Sequence, residues 1–218
     1  MNNNENKNIE AANPQGIRND KTRRLVMLAL WAALTVILAF VPNLGYIYIG
    51  IFTITTVHIP VIIGAILLGP LDGAILGFIF GLTSVIHATF QPPATAFLFS
   101  PFVPFGNFNS LIIAIVPRVL VGVVAAYLFR FIRIKDKKGY IASLVAAIVS
   151  SLTNSVFVLG LAFLLFGKQF AAVNQKTLSG LFDVILFTIA TSGVAEAITA
   201  AIVVTAAVKA ITAAMKRI

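Results

Sequence analysis

The chain has 218 residues, of which 59% are hydrophobic and only 11% are charged. A soluble domain carries about 25% charged residues, so this composition, with a mean hydropathy of +1.00, belongs in a bilayer. The net charge of +9 does not indicate a nucleic-acid partner, because the basic residues gather at ends and loops, as membrane topology requires. Cysteine is absent and only His58 and His87 are present, which excludes disulfides and thiolate chemistry and gives no basis for a metal or cofactor.

Residues 1–22 are polar and Asn-rich with no apolar core, and read as a disordered tail rather than a signal peptide. Residues 23–218 form the membrane domain, expected to be all-α with six transmembrane helices. The first runs from about Arg24 to Val41. The second, Val57 to Gly69, is short for a span, since about 20 residues are needed. Between them YIYIGIFTITT alternates and is rich in β-branched residues, so a short hairpin is expected in this first loop. The third helix starts at Pro70, a residue favoured at the first helical position, and runs to about Ala88. The connection from Thr89 to Phe108 is rich in proline and phenylalanine. It is too long and apolar for a bare linker and reads as a lid over a pocket. The fourth helix runs from about Asn109 to Arg133, the fifth from Tyr140 to Phe166, and the sixth from Leu181 to about Ala214. The last two exceed one bilayer thickness.

Six spans put three basic clusters on one side: Arg23 and Arg24; Arg130, Arg133, Lys135, Lys137 and Lys138; Lys209, Lys216 and Arg217. The other side receives only Lys168 and Lys176. The asymmetry predicts cytoplasmic termini, with the hairpin and the lid outside.

Helix three carries Gly69, Gly73, Gly77 and Gly81 at spacings of four, a face stripped for close approach of another helix. Asp72 falls in the first turn of that helix, where a carboxylate is favourable. On helix one, Ala29 and Ala33, with Ala32 beside them, form a small-residue strip on which another helix can dock. Arg118 stands in AIVPRVLVG, roughly 14 Å in from the outer end of helix four at 1.5 Å per residue. Intramembrane charge faces a cavity or a partner. Asn154 lies about 21 Å from the inner end of helix five, level with Arg118, and Glu196 lies deeper, roughly 22 Å from the outer end of helix six. Thr188, Ser192, Glu196 and Thr199 form one polar stripe on that helix, and His87 sits near the outer end of helix three. Two readings of Arg118 stay open at this point: it pairs with Glu196, or it points into an outward-facing pocket and binds an anionic or carbonyl-rich ligand.

ITTVHIPVIIGAILLGPLDGAILGFIFGLTS followed by PRVLVG, in a six-span chain of this length, resembles the substrate-binding S components of energy-coupling factor (ECF) vitamin transporters, over residues 24 to 214. The resemblance implies a bacterial cytoplasmic-membrane subunit that binds a vitamin with high affinity near its extracellular end. It implies association with a transmembrane coupling protein and two ATP-binding subunits, whose ATP hydrolysis carries the ligand inward, so that the chain itself is no enzyme. Ala29 and Ala33 match the family's docking motif for the coupling protein, and Glu196 sits in a family-like G-x-x-E context. Within the family the sequence looks most like pantothenate carriers. Arg118 or Lys168 would then meet the carboxylate, with Asn107, Asn109 and Asn154 at amide and hydroxyl groups. His87, Tyr46, Tyr48, Ser192 and Glu196 complete the ligand-binding candidates. An S component for riboflavin, folate or a pyridoxine or hydroxymethylpyrimidine type of ligand is the alternative, with Tyr46, Tyr48, Phe97 and Phe102 as stacking walls.

Two other classes fit less well. An intramembrane protease would need a G-x-S motif, which does not occur, and a phosphotransferase would need an aspartate cluster where GPLDG offers one. A stand-alone secondary transporter would show internal repeats and broken midplane helices. No repeat is evident between the halves, and no Walker motif is present.

Overall fold

The computed structural model describes residues 14–41, 44–49, 52–136 and 138–215. In chain order the elements are α1 (Pro14–Phe40), β1 (Tyr46–Ile49), β2 (Phe52–Thr55), α2 (His58–Leu68), α3 (Pro70–Phe90), α4 (Phe108–Arg133), α5 (Tyr140–Val173), α6 (Leu178–Thr188) and α7 (Val194–Met215). A π-helical turn, Ile189–Gly193, joins α6 to α7 without a break. Among the described residues five helical spans are long and apolar enough to cross a membrane, the last being the continuous run Leu178–Ala214, while α2 has only 11 residues.

The expected bounds shift in three places. Helix α1 begins at Pro14 rather than Arg24, so residues 14–22 of the expected tail are helical, and residues 1–13 lie outside the described residues. Helix α5 continues to Val173, with a kink at Phe166 where the backbone leaves helical geometry (φ −130°, ψ 19°). The last helix starts at Leu178, so the expected third connection, residues 167–180, shrinks to residues 174–177.

The central element is the short helix. Every residue of α2 from His58 to Ile66 is buried, and it packs against α1, α3, α4, α5 and α7. It is preceded directly by an antiparallel hairpin, in register Tyr46↔Thr55 and Ile49↔Phe52. Val57, at the junction, has no exposed surface.

Helices α3 and α4 pack through the glycine face. A Cβ at Gly81 would come within 2.9 Å of the Ala114 carbonyl, one at Gly77 would overlap the Arg118 carbonyl, and Gly73 and Gly122 face each other across the contact. The backbones touch because no side chain keeps them apart. At the far end of this pair Gly69 turns the chain between α2 and α3 with φ +112°, a conformation that favours glycine. Asp72 follows in the first turn of α3 and receives both Arg24 Nε, at 2.6 Å, and Arg24 Nη2, at 2.9 Å, which fastens α1 to α3. Most of α1 is otherwise uncovered: Leu25, Val26, Leu30 and Ile37 are more than half exposed.

The connection from α3 to α4 is a packed cap. Its turn Ala96–Leu98 is buried, and the Phe97 ring meets Phe166 edge-on at 5.6 Å. Ser110 Oγ donates to the Phe97 carbonyl at 2.6 Å, and the Thr89 and Ser100 hydroxyls are 2.7 Å apart. Phe102, Phe105 and Phe108 face outward on its other side.

A buried polar layer between two apolar clusters

Two apolar clusters fill the bundle. One surrounds α2 and includes Val121 and Ala125 of α4, Ala146 and Ala147 of α5, and Ala200 and Val204 of α7. The other lies under the cap and includes Ile113 of α4, Val158 and Ala162 of α5, and Leu181 and Ile185 of α6. Between these positions all three spans carry buried polar residues among apolar ones. They are Arg118 on α4, Ser150, Ser151 and Asn154 on α5, and Ser192 and Glu196 on the last span, and all six are buried. Burying polar groups costs free energy unless they find partners. Buried polar residues on three spans, each set between the same two apolar clusters, therefore mark one shared layer.

Glu196 is fixed by the hairpin. The Thr55 backbone N–H donates to its Oε1 at 2.6 Å, and Ser155 Oγ donates to its Oε2 at 3.2 Å. Its carboxylate thus meets the foot of the hairpin, a contact that residue counting did not foresee. The last span is 37 residues long, more than one crossing needs, so distance from its start is a poor measure of depth. The π turn just before α7 contains Ser192 and lies against β2; such a turn adds a residue to the helix and rotates the side chains beyond it.

Arg118 is held otherwise. Its Nη1 donates to the Ile113 carbonyl at 2.6 Å. Its Cζ lies 4.9 Å from the centre of the Phe99 ring and 5.4 Å from that of Phe80. A guanidinium between two aromatic faces is stabilised by their quadrupoles, more so when water is excluded. Arg118 therefore joins α4 to α3 and to the cap, while Glu196 joins the last span to the hairpin and α5. These hydrogen bonds do not join Arg118 to Glu196, although the two charges interact electrostatically.

The remaining candidates fall in three groups. Asn154 belongs to the layer, and its Oδ1 is buried without a hydrogen-bond partner among the described residues, as are the hydroxyls of Ser150 and Ser151. Asn107 and Asn109 lie at the start of α4, about 13–17 Å along the helix from Arg118 at 1.5 Å per residue. Asn107 is its N-cap, accepting from the Asn109 N–H at 2.8 Å with Ser110 completing a capping box. His87 is half-buried near the end of α3, and Lys168 is exposed on α5 past the kink. Tyr46 and Tyr48 lie on β1, and their side chains are outside the described residues. Phe97 is buried in the cluster beneath the cap, whereas Phe102 is 77% exposed. On α1, Ala29 and Ala33 are exposed and Ala32 is partly covered.

Sequence reasoning missed Ser150, Ser151, Ser155, Thr55, Phe80 and Phe99. The signal for the first two was present. Elsewhere on these helices Ser143, Thr153, Thr188, Thr191, Thr199 and Thr212 each donate to a carbonyl four residues back, the usual way a membrane helix satisfies a hydroxyl. The pair Ser150–Ser151, one turn before Asn154, was a polar patch that spacing alone could have grouped. Nothing in the sequence announces that Phe99, across a long connection, meets Arg118.

Residues 23–208 match the family described as ECF transporter, substrate-specific component. The chain is 39% identical over 165 residues to a Lactococcus lactis subsp. cremoris protein named pantothenic acid transporter PanT, covering 73% of this chain and 78% of that one. It is 28% identical over 200 residues to the pantothenate transporter PanT of Leuconostoc mesenteroides subsp. mesenteroides, covering 86% and 91%. With its apolar spans, the match makes this a multi-pass membrane protein and a transport component, not an enzyme. On the match of residues 23–208, the chain belongs to the family of ECF transporter substrate-specific components.

Proposed function

We propose that the chain binds pantothenate in the polar layer and releases it inward on association with a coupling protein and two ATP-binding subunits. The observation that carries this reading is the shared interval of buried polar residues on α4, α5 and the last span, closed over by the hairpin and the cap. Pantothenate presents a carboxylate, an amide and two hydroxyls. Arg118 supplies the charge for the carboxylate. Asn154, Ser150, Ser151 and Ser192 supply donors and acceptors for the rest. Those hydroxyl and amide groups are costly to bury unless something polar meets them. The names of the two relatives support the same ligand.

The basic clusters support an orientation with both termini cytoplasmic and with the hairpin and cap at the outer face. The exposed Ala29–Ala33 strip supports docking of the coupling protein on α1. Calorimetric titration of the purified protein against a panel of vitamins tests the assignment. Tight binding of pantothenate is expected. Tight binding of riboflavin or pyridoxine, with none of pantothenate, would overturn the ligand and leave the family untouched.

A further inference from the structure

Pro117 and Arg118 act on one backbone carbonyl. In an α-helix the N–H of residue 117 would donate to the carbonyl of residue 113. Proline has no N–H, and its ring crowds that carbonyl. Ile113 has no exposed surface, so its oxygen needs a donor from within the protein. Arg118 Nη1 is that donor, at 2.6 Å. Helical side chains lean toward the N-terminus of their helix, which is the direction from residue 118 to residue 113, so the arginine reaches the vacated carbonyl along its natural path.

Two further contacts hold the guanidinium in place. Phe80 stands on α3, which Gly77 lets approach the Arg118 backbone itself. Phe99 stands in the cap, one residue before Ser100, whose hydroxyl meets Thr89. The ring centres at 4.9 and 5.4 Å fix the head group in a site that the carbonyl anchors.

We propose that Pro117 is a positioning residue for ligand binding. By removing the N–H that would otherwise occupy the Ile113 carbonyl, it makes that oxygen the anchor of Arg118, and with Phe80 and Phe99 it presents an oriented guanidinium to a ligand carboxylate. Preorganisation matters because a flexible arginine loses rotamer entropy when it binds. The anchoring stands on this geometry alone; only the identity of the carboxylate rests on the pantothenate reading.

Two measurements separate these parts. The first is a ligand-free double-mutant cycle in thermal unfolding, with Pro117→Ala, Arg118→Met and both together. Arg118→Met orphans the Ile113 carbonyl in the wild-type background. In the Pro117→Ala background the introduced alanine supplies the helical N–H, and the carbonyl keeps a donor. The effect of Arg118→Met on Tm is therefore expected to shrink by about half or more in the Pro117→Ala background. Equal effects in both backgrounds would overturn the anchoring. The second is calorimetric binding of pantothenate and of pantothenol, the neutral alcohol that lacks the carboxylate. Pro117→Ala is expected to weaken pantothenate about tenfold and to leave pantothenol unchanged, the loss being that of one oriented charged hydrogen bond. Equal losses for both, or none for either, would overturn the positioning role. A wild-type protein that binds no pantothenate would refute the ligand assignment, and the cycle would still decide the anchoring.

Discussion

The backbone N–H of Thr55 donates to the carboxylate of Glu196 at 2.6 Å, joining two positions 141 residues apart. This bond ties the hairpin to the last span, and it explains why a glutamate is kept inside the bundle. A strand end delivered into an apolar interior brings a backbone donor that must be satisfied. Replacing Glu196 with alanine leaves that donor without its acceptor and Ser155 with only the Ser151 carbonyl, at 3.5 Å. We expect a loss of about 1–3 kcal/mol, read as a lower Tm, together with weaker ligand binding as the hairpin loosens. Glu196→Gln keeps Oε1 as an acceptor and should retain most of the stability. Equal destabilisation by both variants would refute the hairpin role.

Ser150 and Ser151 separate structure from binding. Their hydroxyls have no exposed surface and no hydrogen-bond partner among the described residues. Removing a buried hydroxyl that nothing in the protein satisfies should not destabilise the fold. The double alanine variant is expected to keep or raise the wild-type Tm and to weaken pantothenate by about tenfold, the loss of one or two net hydrogen bonds. Calorimetry beside a melting curve checks both halves. A fall in Tm with unchanged affinity would make the pair structural.

Gly77 controls how near α3 comes to Arg118. A Cβ there would overlap the Arg118 carbonyl, and a rigid backbone contact cannot yield as a flexible side chain can. Gly77→Ala is expected to cost about 1–3 kcal/mol through overpacking, and to carry Phe80 away from the guanidinium. Its melting curve should shift more than that of Gly160→Ala, where an added Cβ meets nothing within 4 Å.

Asp136, in the turn between α4 and α5, gives a pH dependence with a defined sign. Its Oδ2 accepts from the Ala142 N–H at 2.9 Å. That hydrogen bond, with those of neighbouring backbone N–H groups, holds the carboxyl below its ordinary value of 3.8. A depressed folded value means that the contribution is fully present above the unfolded value and is lost as pH falls through the folded one. Stability of the α4–α5 turn should therefore decline below pH 3.8, and Asp136→Asn should remove that dependence. Unfolding of wild type and variant between about pH 6 and pH 3 checks it.

Ala29 and Ala33 face outward on a helix that its neighbours leave largely uncovered. Leucine at both positions should leave pantothenate affinity unchanged and abolish uptake by the assembled transporter, because the close approach of a second helix is lost. Weakened ligand binding in the isolated subunit would refute the docking role.

The sequence by itself determined the membrane class, the order of the spans, the hairpin, the small-residue faces and the family. These come from composition, period and motif, which are local properties of the chain. It also marked Arg118, Asn154, Ser192 and Glu196 as polar residues at membrane depth. It could not say which of them meet. Residue counting assumes straight helices that start at the membrane surface, and here the last span overshoots and carries a π turn while α5 kinks at Phe166. Only the tertiary structure decided that Glu196 serves the hairpin and that Arg118 serves the carbonyl freed by Pro117 between two phenylalanines. Those pairings join residues from separate elements, and their geometry is set by how closely glycine faces let the backbones approach, which no single helix encodes.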